Sequence, residues 1–97
     1  MFDIYVVYNC YEGKGKEFVK RVTEEGIADA IRNEDGCIKY DYYLNYDNPD
    51  KVLLIEQWES QEHQKVHMTQ PHMEGLMKIK DGCVKSVALG RFHTENL

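Results

Sequence analysis

Residues 55–73, IEQWESQEHQKVHMTQPHM, gather one tryptophan, three glutamates and three of the chain's four histidines. Imidazole takes up and releases protons near neutrality, and together with carboxylates it ligates metals, so chemistry is expected here first. Glu56 and Trp58 are two apart, which in an extended segment puts them on one face with Val52 and Leu54. A carboxylate among apolar strand positions must find a hydrogen-bond partner or hold a proton, because burying it alone is costly. Trp58 offers a flat wall for an aromatic ring and a single N–H for an oxygen. His63 and His67 are four apart and share one side of a helix. Their HxxxH spacing suits zinc, but the glutamate of HExxH is missing, and a third ligand would have to be Glu56, His72 or His93. No metal is therefore expected, and His63 reads as a solvated helix position.

The elements that must hold these residues follow from periodicity. FDIYVVYN, residues 2–9, is a run of β-branched and aromatic residues, read as a strand buried on both faces. From Lys16 to about Asn33 the apolar residues Phe18, Val19, Val22, Ile27, Ala30 and Ile31 recur at helical spacing, predicting one amphipathic helix. Gly26 inside it suggests a close approach of backbone to a neighbour or ligand. Glu34-Asp35-Gly36 closes that helix. In CIKYDYYLNY the even positions Ile38, Tyr40, Tyr42, Leu44 and Tyr46 share one face. DNPDK turns the chain, and VLLIEQWE resumes in extended form, predicting an antiparallel hairpin.

Ser60 is expected to cap a helix over about 61–69, which Pro71 stops, with HMEGLMKI forming a further short helical turn. Residues 83–92 read as the last strand. The order β-α-β-β-α-β predicts an α+β, ferredoxin-like sandwich in which two helices cover one face of an antiparallel sheet. Its other face, lined with apolar residues and tyrosines, is expected to meet a second copy in a homodimer.

Composition limits what the fold can do. A chain of 97 residues with 42% apolar content fits a single domain over 1–97. The formal charge of −5, without a separate basic cluster, argues against nucleic acid. No apolar run is long enough to cross a bilayer, and MFDIYVVYN lacks the basic start of a signal peptide, so a cytoplasmic protein without a membrane partner is expected. Three widely spaced cysteines do not form a disulfide framework and read as small buried hydrophobes.

The segments EDGCIKY at 34–40, IEQWES at 55–60, His67, and TQPHM at 69–73 together make the chain resemble the antibiotic-biosynthesis monooxygenase family. They look most like its quinol monooxygenase branch, with the branch that isomerises a phosphorylated dione in autoinducer-2 breakdown close behind. The resemblance implies a dimeric α+β barrel and an oxygenation that uses no cofactor, the substrate itself reducing O2. A quinol or polycyclic phenol becomes reactive toward O2 once its hydroxyl proton is removed, so the protein need supply only an apolar pocket, a proton acceptor and an orienting donor. At the family-matched positions, His67 is the expected base and His72 the orienting donor or gate, with Trp58 holding the ring. Glu56, Asn9, Tyr40, Tyr42 and Met68 are expected to contact the substrate, with Met73 and Met77 completing a pliable rim. Haem-degrading relatives place a second tryptophan near the position of His67, and this chain has none there.

Two other functions fit the same elements. The isomerase would need a phosphate site, for which Lys39, Arg32 and Arg91 are the available donors. A non-catalytic dimeric module binding an apolar small molecule would show a closed, packed interior instead of a cleft.

Overall fold

The computed structural model describes residues 1–97 as β1 (Phe2–Cys10), α1 (Gly15–Glu24), α2 (Ile27–Arg32), β2 (Cys37–Leu44), β3 (Lys51–Trp58), α3 (Gln61–His67), α4 (Met73–Cys83) and β4 (Val84–Arg91). The strands form one sheet in the order β2-β3-β1-β4, and every neighbouring pair is antiparallel. This is the ferredoxin-like α+β arrangement that the element order predicts.

The helix expected over 16–33 is two helices. Gly26 adopts φ 79°, left-handed, and ends α1 while starting α2. A Cβ at Gly26 would meet nothing within 4 Å, so its role is backbone reversal and not the close approach read from the sequence. The two apolar stripes still converge, with Phe18, Val22 and Ile31 fully buried. Pro71 separates α3 from α4, and α4 is a full helix of 11 residues rather than a short turn. It runs through Cys83, which the sequence reading assigned to the last strand.

One face of the sheet supplies the core. Ile4, Val6 and Tyr8 of β1 lie opposite Glu56, Leu54 and Val52 of β3, and Phe2 lies opposite Trp58. Each fully buried aliphatic or phenyl side chain in this layer contributes about 1.5–3 kcal/mol. On β2 the expected five-residue face is shorter. A bulge between Cys37 and Lys39 puts Ile38 out of register and half in solvent, while Tyr46 lies beyond the strand, fully exposed. Tyr40 is buried opposite Glu56, and Tyr42 sits opposite Leu54.

The opposite face is only partly covered. Tyr5 and Tyr43 are exposed there while Val7, Leu53 and Ile55 are half-buried, so apart from Asp3 at its start β1 is fully buried within one chain only on its helix side. No helix is long and apolar enough to cross a membrane.

A histidine-carboxylate site beside an apolar cleft

The helices do not reach across the whole sheet. Between α3–α4 and the edge strand β4 they leave a cleft of about 160 Å³. Ile4, Val6 and Tyr8 form its floor, Met68, Met73 and Leu76 one wall, and Val87 and Leu89 the other. Tyr40, Glu56, Gln64, His67 and Lys80 bring polar atoms to it. An apolar hollow with a few converging polar groups is the usual form of a small-molecule site.

His67 occupies the last turn of α3 and is 2% exposed. Ser60 caps that helix, its Oγ accepting from the N–H of His63, and so sets where the turn bearing His67 falls. The Nδ1 atom of His67 lies 3.1 Å and 2.9 Å from the two carboxylate oxygens of Glu34. Because a carboxylate only accepts, Nδ1 carries a proton and donates it, and in the neutral imidazole the lone pair is then on Nε2. No hydrogen bond within the chain engages Nε2, and the one side-chain polar atom that is both sealed from solvent and without a partner is Asp3 Oδ1, so Nε2 keeps some access to solvent.

Trp58 stands behind the imidazole. Its ring is fully buried and its Nε1 donates to Glu56 Oε1 at 3.0 Å. The indole therefore supports His67 and Glu56 from beneath and does not line the cleft itself. Burial holds the Glu56 carboxyl above its ordinary value of 4.5, opposed by the Trp58 N–H and the His67 imidazole. Tyr40 and Tyr42 share a hydroxyl–hydroxyl hydrogen bond of 3.2 Å, and burial pushes the Tyr40 hydroxyl well above 10.0. Tyr40 lines the cleft, whereas Tyr42 packs one residue further from it against Phe18 and Tyr8.

Other expected residues lie elsewhere. His72 stands at the N-cap position of α4 without a capping side-chain bond, and its Nε2 donates instead to Glu34 Oε2 at 2.7 Å. Asn9 points to the opposite sheet face and donates to Ser86 Oγ at 3.2 Å, away from the cleft. Met77 is 62% exposed and lies outside the lining, while Met68 and Met73 form part of it. The HxxxH pair divides. His63 Nδ1 meets Ser60 Oγ at 2.7 Å and its Nε2 faces Asp35 and Glu59, whereas His67 faces Glu34. Two groups could hold a metal ion, Glu34 with His67 and His72, and Asp35 with Glu59 and His63.

Glu34 is the site member that the expected set lacks: its local pattern marks only the end of the first helix, although it begins the EDGCIKY stretch that carries the family resemblance. The phosphate donors do not converge: Arg32 is taken by Asp29 and the Tyr40 carbonyl, Lys39 faces Asp41, and Arg91 lies over the Phe2 ring on the other edge strand.

The fold and the cleft thus define a ferredoxin-like α+β protein with a histidine-bearing apolar site. The antibiotic biosynthesis monooxygenase family matches residues 1–78, and the chain belongs to that family. It is similar to the probable quinol monooxygenase YgiN of Escherichia coli K12, with 30% identity over 66 residues that cover 60% of this chain and 64% of YgiN. It is 35% identical over 63 residues to YjcS of Bacillus subtilis, covering 65% of this chain and 54% of YjcS. The chain thus spans less than two thirds of the length of either relative. Among solved structures, PA3566 from Pseudomonas aeruginosa superposes with a TM-score of 0.83 at 15% identity, covering 98% of this chain and 94% of that one. SO0527 from Shewanella oneidensis gives 0.81 at 20% identity, covering 96% and 89%. At these identities the two structures speak for the fold.

Proposed function

We propose that the chain is a cofactor-independent monooxygenase that oxidises a quinol or polycyclic phenol with O2. The observation that carries this reading is the state of His67: Nδ1 tied to Glu34, Nε2 unengaged, and the ring on the wall of an apolar cleft. In this scheme the hydroxyl proton of the bound quinol passes to Nε2, and the electron-rich ring gives up electrons to O2. A ring carbon bonds to one oxygen, and the distal oxygen takes up the proton as a hydroperoxide. Cleavage of the O–O bond then releases water and leaves a hydroxyquinone, so one oxygen atom goes to the product and one to water. A cleft that excludes bulk water favours each of these steps.

Glu34 holds the imidazole in the tautomer the base needs, and Trp58 holds it in place from beneath. His72 steadies Glu34 from the outer side, as an orienting donor one step removed from the substrate. Glu56, Tyr40 and Met68 are the remaining proposed contacts. The half-covered apolar face with Tyr5, Leu53 and Ile55 is assigned to a homodimer, where a second copy would bury it.

Oxygen consumption with a panel of hydroquinones in metal-free buffer tests the reading. Uptake is expected with at least one of them and is expected to fall sharply in His67→Ala. Absence of uptake across the panel, or uptake indifferent to that substitution, removes it.

A further inference from the structure

Glu34, His67 and His72 form a two-histidine, one-carboxylate set, with the potential ligand atoms all within 4.8 Å of one another. We propose that these three residues bind one divalent ion of the zinc class, and that the ion switches the His67 site off instead of serving it as a cofactor. The binding itself is independent of the monooxygenase reading; only the inhibitory consequence rests on it.

Bonds of about 2.0–2.1 Å to nitrogen and oxygen in a tetrahedral shell place neighbouring donor atoms roughly 3.3 Å apart. Here Glu34 Oε2 lies 2.9 Å from Nδ1 of His67 and 2.7 Å from Nε2 of His72, so the cluster needs to open by only a few tenths of an ångström. Of the three, Glu34 faces solvent on the side away from the substrate cleft. Glu34 also lines an outer hollow of about 240 Å³ together with Asp35, His63, Val66 and Gln70, and His67 does not reach it. Asp35 and Glu59 add negative charge beside that hollow, which raises the local concentration of cations. Three protein ligands leave the fourth position of a tetrahedral shell to water.

The switch follows from the tautomer. An ion that takes Nδ1 of His67 displaces the proton now given to Glu34, and a neutral imidazole must then carry its proton on Nε2. That is the nitrogen without a hydrogen bond in a ring that lines the cleft, so the bound ion removes the lone pair a phenol would use. The same exchange on His72 moves its proton to Nδ1.

Calorimetric titration of the metal-free chain with zinc, and cobalt absorption spectroscopy, test the site directly. We expect one ion per chain, a cobalt spectrum free of thiolate charge-transfer bands, and nitrogen-15 shifts that move the His67 proton from Nδ1 to Nε2. His72→Gln and Glu34→Gln should each weaken binding at least as much as the roughly 10- to 100-fold that loss of a supporting partner costs. His63→Ala should leave binding intact. Binding lost in His63→Ala but kept in His72→Gln would put the ion on the outer cluster and overturn the proposal, as would thiolate bands or the absence of stoichiometric binding. If zinc binds and moves the His67 proton while no quinol supports uptake, the site stands and the oxygenase reading fails. If a quinol is oxidised and zinc fails to bind, the reverse holds.

Discussion

The imidazole of His67 lies against the indole of Trp58 with ring centroids 4.6 Å apart and planes inclined by 33°. The indole in turn belongs to β3, paired with Phe2 of β1 on one side and Cys37 of β2 on the other. His67 is thus fixed between a sheet residue that limits its tilt and a helix-end carboxylate that fixes its proton. Neither restraint comes from the helix that carries it.

Replacing His67 by Gln keeps a polar side chain of similar reach but removes the proposed base. The expected loss in oxygen uptake is about 10²–10⁴-fold, the usual contribution of a positioned proton acceptor. Glu34→Gln should act through His67, lowering kcat about tenfold or more, near 1.4 kcal/mol of barrier, with KM little changed. A structural role alone would leave the nitrogen-15 shifts of His67 where they are in the native chain, so those shifts decide between the two.

Trp58→Phe preserves an aromatic face for His67 and deletes the N–H that Glu56 accepts. A buried acceptor left without its donor costs about 1–3 kcal/mol. Urea denaturation of the two proteins at neutral pH should show that difference as a lower midpoint with an unchanged slope.

Two glycines in left-handed conformation are expected to respond differently to alanine. At Gly26, φ 79° with open space around the missing Cβ, the cost is the backbone's alone, about 1–2 kcal/mol. At Gly36, φ 82°, the new methyl would also run into the His63 ring, so Gly36→Ala should be the more damaging. Thermal unfolding of both variants checks the order.

Asp50 links the β2–β3 loop to the start of α1, its carboxylate accepting from the N–H groups of Gly13 at 3.0 Å and Gly15 at 2.9 Å. Those bonds hold the carboxyl below its ordinary 3.8, the Gly15 bond first. A depressed carboxyl contributes stability that is complete above the unfolded value and is lost as pH falls through the folded one. Asp50→Asn should therefore be less stable than the native chain at neutral pH, and the gap should narrow on acidification well below 3.8. A gap that stays constant in acid-titrated denaturation curves contradicts this.

Most of the fold was legible in the residues because it rests on local periodicity. The alternation in Val52, Leu54, Glu56 and Trp58, the DNPDK turn and the Ser60 cap each act within a few positions, and each forms as expected. The departures come where one residue's backbone overrides a pattern: the turn at Gly26, which divides an otherwise continuous apolar stripe, and the bulge that expels Ile38.

That an imidazole-rich helix follows a strand bearing Glu56 and Trp58 is written in the residue order, since spacing alone settles which side chains share a strand face or a helix face. The pairing of His67 with Glu34, thirty-three positions earlier, and not with His63 on its own helix, emerges only once the elements are packed. The same packing separates Asn9 from the cleft and sets Trp58 behind the imidazole. The physical reason is that helical and strand periods are set by neighbours along the chain, whereas a charged hydrogen bond between distant residues depends on how the elements close over the sheet.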